Sequence, residues 1–428
     1  MFGIRQPDGS DGLILSPGQP FNVKIANRCG EATIVHWHGQ TPPFLQDGVA
    51  QVGGAIIKPD ATETYDFAAR PGTHWMHSHL GLQKQALLAA PLIVRTAEDV
   101  RSDVQEVTVL LHDFSFRAPE ELYATVSGGA ASGHSMAAMP GMSMAPSGAA
   151  PTPVTAGPDL NEVDYDAYLA NDRTLGDPFV VRAAAGGRIR LRLINAAATS
   201  AFWISTGDLD GTVVAADGNA VRPVSGRQFP LAQSQRLDIV VELPKGGGMF
   251  PILAQREGDR QRTGIVLASS GAVIRKLTGL ADAAVPAIDN ALEQRLVAAV
   301  PLSGVAGGVT HRVVLTGAMR PYVWSIDDRT WADHRPLRIV KDQRVVLEMT
   351  NRSPMAHPMH LHGHHFQVVA LNGTPVTGAV RDTVLVPINS SVTIAFDADN
   401  PGRWLFHCHN LFHMAAGMMT EFAYDGAT

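Results

Sequence analysis

A stretch near the C-terminus, HCHNLFHMAAGM at 407–418, gathers sulfur and imidazole donors at close spacing. Cys408 lies between His407 and His409; His413 follows five residues after the cysteine, and Met418 five after that. Thiolate, imidazole and a weakly bound thioether are donors of a blue copper electron-transfer site, which takes a second imidazole as well. The flanking histidines are poorly placed to supply it. Alternate residues of an extended segment point to opposite faces, so His407 and His409 turn away from Cys408. The stretch is suited to touching two metal centres, with its backbone as the bridge between them.

Three further clusters carry the remaining donors: HWHG (36–39), HWMHSH (74–79) and HPMHLHGH (357–364). With the C-terminal stretch they contain four His-x-His pairs, His36/His38, His77/His79, His360/His362 and His407/His409. On a strand each pair shares one face. Eight imidazoles can therefore converge on a multinuclear site if the N- and C-terminal units pack face to face. One such pair is a weak signal; four in register with an internal repeat are a strong one. Seven other histidines, His74, His112, His134, His311, His334, His364 and His365, read as packed or surface residues. Met355 and Met359, either side of His357, read as core fillers or as a soft rim.

The elements that must hold these donors recur three times. Alternating strands ending in Asn occur at 17–27, 185–195 and 341–351, with apolar residues at every second position. Nine residues after Asn27 comes His36, and nine after Asn351 comes His360; nine after Asn195 comes Ile204. A second unit, an alternating strand followed by a turn and an aromatic-rich strand, occurs at 63–79, 236–254 and 391–409. In the outer copies a histidine follows the turn glycine by five residues, Gly72 to His77 and Gly402 to His407. The pattern predicts an all-β chain: domain 1 at 1–100, domain 2 at 101–270, a linker at 271–308 and domain 3 at 309–428. The middle unit reads as a spacer. The linker's second half, ALEQRLVAAV, reads as a short helix.

A chain of 428 residues is too long for one core. It is 45% hydrophobic and 17% charged, with 41 glycines and 28 prolines, which favours turn-rich sandwiches. A net charge of −6 and the lack of a basic run argue against nucleic acid as a partner. No apolar run is long enough for a membrane span. There are two cysteines, and with Cys408 given to metal, Cys29 is left as a small loop thiol. Within domain 2, residues 127–158 are small, polar and Pro/Gly-rich, the composition of a flexible insert. They carry Met136, Met139, Met142 and Met144, soft thioethers suited to Cu(I).

These four motifs resemble those of the multicopper oxidases, in the three-domain branch that includes laccases, bacterial cuprous oxidases and copper-resistance oxidases. The resemblance extends to ADG at 216–218 and RDTVLVP at 381–387. It implies three cupredoxin-like Greek-key β-sandwiches and four copper ions. His357, Cys408, His413 and Met418 would hold the type 1 copper. His36 and His360 would hold the type 2 copper. His38, His77, His79, His362, His407 and His409 would hold the type 3 pair.

The activity implied is one-electron oxidation of a reductant coupled to four-electron reduction of O2 to water. The expected reductant is Cu(I), phenols, or both, with the methionine-rich insert gathering Cu(I). A laccase acting on phenols and aromatic amines, an Mn(II) oxidase and a copper-buffering protein are the alternatives; a two-domain nitrite reductase needs fewer His-x-His pairs. Reduction of O2 consumes protons. Asp47, in the QDGV turn after HWHG, is the candidate relay, with a plain Asp-Gly turn as the other reading. Many relatives carry Asp or Glu between His409 and His413, where this chain has Asn410, Leu411 and Phe412. The N-terminal MFGIRQPDGS is not a signal peptide. A periplasmic or secreted protein that has lost its signal is expected, with a cytoplasmic one as the alternative.

Overall fold

The computed structural model describes residues 1–128, 160–303 and 308–426. Met136, Met139, Met142, Met144 and His134 lie outside the described residues.

The chain folds into β-sheets, and the repeat seen in the sequence is a repeat of strand pairs. Phe21–Ala26 pairs antiparallel with Thr62–Phe67, Arg188–Asn195 with Arg236–Glu242, and Arg344–Asn351 with Ser391–Asp397. The recurring terminal asparagine has the same task each time. Nδ2 of Asn27 donates to the carbonyls of Glu31 and Ile57, that of Asn195 to Ser200 and Leu231, and that of Asn351 to Met355 and Val386. Its Oδ1 accepts the amide two residues on, from Cys29, Ala197 and Ser353 respectively. This Asx turn satisfies backbone groups at the strand end and re-aims the chain towards the next strand.

In the N-terminal part, Val35–His38, Gly72–Ser78, Ala89–Val94 and Leu13–Leu15 form one sheet. Alternation sorts its residues: Trp37 and Met76 pack with Phe21, Tyr65, Phe67 and Leu92, which leaves His36, His38 and His77 on the opposite face. The middle part is a six-stranded sheet packed on a five-stranded one. In the C-terminal part, a sheet containing Arg344–Asn351 and Ser391–Asp397 packs on one ordered Leu337–Ile339, Met419–Tyr424, Arg403–Cys408, His357–Leu361, Thr383–Val386. Buried Leu347, Met349, Ile394, Phe396, Trp404 and Phe406 fill the space between them.

The short helix expected in ALEQRLVAAV does not form. One turn closes, with Gln294 N–H donating to Asn290 O and Leu296 N–H to Leu292 O, and it buries Leu292 and Leu296. The backbone then extends, because Arg222 N–H donates to Val297 O and Ala299 N–H to Ala220 O. Pairing with the free edge of strand Asn219–Gly226 outcompetes a second helical turn.

Candidate metal centres

Strand register divides the donors between two sites. Met359 lies opposite Cys408, and His360 lies opposite His407. Opposite residues share a face, so His357, Met359 and Cys408 point one way while His360 and His407 point the other. In the N-terminal sheet His36 lies opposite His77.

The first site is a triad. Cys408 Sγ is 3.6 Å from Nδ1 of both His357 and His413, and these nitrogens are 3.1 Å apart. His413 is delivered by the short helix Leu411–Ala415, capped by Asn410, whose Oδ1 accepts the amides of Phe412 and His413. The loop closes with Met418 N–H on His413 O and Cys408 N–H on Met418 O. Cys408, His357, His413 and Met418 are all fully buried. The outer nitrogens are held as well: His413 Nε2 donates to Glu162 Oε1 at 2.8 Å, and His357 Nε2 is 2.5 Å from Ser353 Oγ. Trp324 packs against His413 with ring centroids 4.0 Å apart and planes tilted by 30°. Met355 and Met359 are buried in the surrounding core.

The second site lies between the N- and C-terminal sheets and brings together all eight paired histidines. The rings form two close triads. His79, His362 and His407 have centroids 5.1–5.2 Å apart, and His38, His77 and His409 have centroids 5.1–5.7 Å apart. His36 and His360, with centroids 5.7 Å apart, complete the group.

Carbonyl and carboxylate oxygens can only accept, so they fix which ring nitrogen carries the proton. Nδ1 of His36, His77, His360 and His407 donates to the carbonyls of Asp47, Ser78, Asp382 and Cys408 at 2.8–2.9 Å. His362 Nδ1 donates to Asp47 Oδ2 at 2.8 Å. His38 is turned the other way: its Nε2 donates to Asp382 Oδ1 at 3.0 Å, leaving Nδ1 free. Each of these six rings thus has one nitrogen oriented by an acceptor and the other left to offer its lone pair.

His409 differs, since its Nδ1 is 3.1 Å from Lys84 Nζ. Burial lowers Lys84 to about 7, which makes the neutral amine, the form that can accept from an imidazole N–H, available near neutral pH.

This donor set fits a cation. Buried His36 Nε2, His38 Nδ1, His77 Nε2, His79 Nδ1, His360 Nε2 and His409 Nε2 have no hydrogen-bond partner, an expensive arrangement unless something binds there. Nε2 of His407 lies 2.9 Å from Nε2 of His362 and 3.4 Å from that of His79, so lone pairs converge. Burial keeps these imidazoles neutral: those of His38, His77, His79, His360, His362 and His409 are held well below the usual range, and that of His407 is lowered to about 3. Burial pushes the Cys408 thiol up, which a bound soft cation reverses. Buried imidazoles and one thiolate suit copper.

Asp47 is buried, with its carbonyl on His36 and its carboxylate on His362. It is also in a tight turn: Gly48 has φ +76°, and a Cβ there would come within 1.8 Å of Val35 O. The Asp-Gly turn is therefore present, and it places the Asp47 carboxylate against a histidine ring.

Three charged residues in contact with these rings escaped the sequence reading. Asp382, Glu162 and Lys84 hold His38, His413 and His409 respectively. Asp382 lies in RDTVLVP, which was a signal of sorts; Glu162 and Lys84 had none. Of the seven remaining histidines, His74, His112 and His364 are buried, and His365 links Asn219 Nδ2 to Gly39 O. His311 and His334 rest on the carbonyls of Arg338 and Trp331. Cys29 is half-buried and unpaired.

Three family models described as multicopper oxidase match residues 11–99, 107–272 and 307–427. The multicopper oxidase MmcO of Mycobacterium tuberculosis is 32% identical over 95% of this chain and 80% of its own length. Copper resistance protein A of Escherichia coli is 25% identical over 94% of this chain and 86% of its own. Among solved structures, the laccase from Botrytis aclada superposes with a TM-score of 0.76 at 23% identity, over 96% of this chain and 81% of that one. The sheets described above are thus cupredoxin-type sandwiches, and the chain belongs to the multicopper oxidase family, copper enzymes that couple oxidation of a reductant to reduction of O2.

Proposed function

We propose that the chain oxidises Cu(I), with electrons entering at the Cys408 site and O2 reduced at the eight-histidine site. His357, Cys408, His413 and Met418 are the proposed type 1 ligands. His36 and His360 are those of the type 2 copper, and His38, His77, His79, His362, His407 and His409 those of the type 3 pair. Copper bound there supplies one-electron exchange at the thiolate site and multi-electron chemistry towards O2 at the cluster. The observation that carries this reading is the position of Cys408. Its thiol belongs to one site while its chain neighbours, His407 and His409, belong to the other, so a few covalent bonds connect the two.

The protein's own groups do the rest. Burial shields the side chains of both sites from bulk solvent. Asp47, hydrogen-bonded to His362, is the proposed proton relay beside the cluster. At positions 410–412, Asn410 caps the helix that carries His413 and no acid is present; of the two buried carboxylates that touch the histidine rings, Asp382 is held by Arg236 through both oxygens, whereas Asp47 carries no such guanidinium partner among the described residues.

One observation favours Cu(I). Glu162 places a buried carboxylate on the outer nitrogen of His413, and the described residues on either side of the methionine-rich insert lie at this edge. Helix Pro119–Val126 precedes the insert and packs Tyr123 against Tyr322 and Phe412; Glu162 follows it. Met136, Met139, Met142 and Met144 are the proposed Cu(I)-gathering thioethers. The proposed compartment is the periplasm or the exterior; among the described residues no helix is long and apolar enough to cross a membrane.

The deciding experiment measures steady-state oxidation of Cu(I) and of a phenol side by side, in the parent and in a variant with residues 134–144 replaced by a Gly/Ser spacer. Lower Cu(I) oxidation at limiting copper, with phenol oxidation unchanged or faster, is expected. Unchanged Cu(I) oxidation together with high phenol turnover in the parent would make the protein a laccase and the insert a linker.

A further inference from the structure

The middle domain carries none of the proposed copper ligands, yet it reaches the cluster. Two consecutive residues of the C-terminal domain, Arg381 and Asp382, form reciprocal ion pairs with it: Arg381 Nη1 with Asp217 Oδ2 at 3.2 Å, and Asp382 with Arg236 through both carboxylate oxygens. All four side chains are buried. Arg236 also donates from Nε to Thr73 O, in the N-terminal domain, at 3.2 Å. One guanidinium therefore contacts all three domains.

We propose that Arg236 is a positioning residue for the trinuclear ligands His38 and His360, acting through Asp382. This rests on the ligand assignment above. Asp382 Oδ1 accepts from Arg236 Nη1 at 2.6 Å, from Thr383 Oγ1 at 2.9 Å and from His38 Nε2 at 3.0 Å, while its carbonyl accepts from His360 Nδ1 at 2.8 Å. Held this way, the two rings stack with centroids 3.8 Å apart and planes 15° apart. Their remaining nitrogens, His38 Nδ1 and His360 Nε2, are the ones without partners. The reversed presentation of His38 is therefore a product of where Arg236 places the carboxylate.

Docking alone does not account for the arrangement. A buried ion pair costs desolvation that an apolar contact of the same volume avoids, and Arg381 already joins the two domains without touching either ring. The guanidinium is also packed close to the ligand motif itself. Gly39, directly after His38, has φ +86°, and a Cβ there would lie 2.6 Å from Arg236 Nη2, 2.9 Å from Asp382 Oδ2 and 2.4 Å from His74 Nδ1. Glycine at the end of HWHG is thus required by its positive φ and by the space that His74, Arg236 and Asp382 occupy together.

The test is copper binding and spectroscopy of the full-length protein. Arg236→Gln is expected to keep the blue thiolate band of the Cys408 site, which Arg236 does not contact. It is expected to weaken binding at the cluster by about 10- to 100-fold, the usual cost of losing a partner that orients a ligand, with loss of the near-ultraviolet and electron paramagnetic signals of the cluster copper. Arg236→Lys, which restores the charge and one contact, should recover part of the affinity. Arg381→Met breaks the parallel interdomain pair and should lower the melting temperature while leaving cluster affinity intact. Asp382→Asn carries the same expectation as Arg236→Gln and decides the matter if that variant does not fold. Parent-like cluster affinity in Arg236→Gln or Asp382→Asn overturns the proposal, as does an equal loss in Arg381→Met. His38→Ala in the same assay separates the two levels: if it retains all cluster copper, the ligand assignment is wrong rather than the role of Arg236.

Discussion

Asp47 and His362 belong to different domains, and Asp47 Oδ2 accepts the His362 Nδ1 proton at 2.8 Å while the Asp47 carbonyl accepts that of His36 at 2.8 Å. One residue therefore orients a ring from each side of the interface and sets an ionisable oxygen against the cluster. Asp47→Asn preserves the carbonyl and the shape. It should slow reoxidation of the reduced enzyme by O2 by about 10²-fold, the lower range for a lost general acid, with reduction of the blue site nearly unchanged. Rapid mixing of each half-reaction checks this; equal losses in both would assign Asp47 to folding or copper retention instead.

Glu162 on His413 Nε2 makes the imidazole a stronger donor, which favours the oxidised metal. Glu162→Gln should raise the reduction potential of the blue site by on the order of tens of millivolts, where 59 mV is about 1.4 kcal/mol for one electron. A redox titration of the blue band measures it. An unchanged potential would mean that the carboxylate does not act on the ligand.

The metal-free protein should lose stability in acid over a defined window. Burial lowers His74 and His407 to about 3 and His364 to about 4, from an ordinary 6.5. Below 6.5 the unfolded chain takes up protons that the folded chain refuses, so this contribution is complete above 6.5 and is lost as pH falls towards 3–4. Glu257, raised by burial to about 7, acts in the opposite sense, but the buried histidines outnumber it. The melting temperature of apoprotein should fall steadily from pH 6.5 to pH 4; a flat profile there would contradict the buried, neutral imidazoles.

The histidine-bearing strands were legible because period-two alternation needs only local sequence. Trp37 between His36 and His38, and Cys408 between His407 and His409, state which side chains share a face. The threefold repeat was legible for the same reason, down to Asn27, Asn195 and Asn351. The groups that orient the ligands were not. Arg236 and Asp382 are 146 residues apart, Glu162 and His413 251, and Lys84 and His409 325, and no spacing rule spans such separations. Without those contacts the middle unit looked like a spacer, whereas its Arg236 and Asp217 pair with the C-terminal domain beside the cluster. The helix expected in ALEQRLVAAV failed for a related reason: its local pattern was helical, but a distant strand edge claimed its backbone.

The central claim is that Cys408 serves one copper site and its two neighbours another. Copper content and the visible spectrum of Cys408→Ser beside the parent test it most directly. The parent should bind four copper ions and show an intense blue thiolate band. The variant should lose the band, one copper and turnover of the reductant, while keeping the cluster's copper and its spectroscopic signals. A Cys408→Ser protein that is still blue, or one whose cluster copper leaves together with the blue site while the fold persists, would contradict the account.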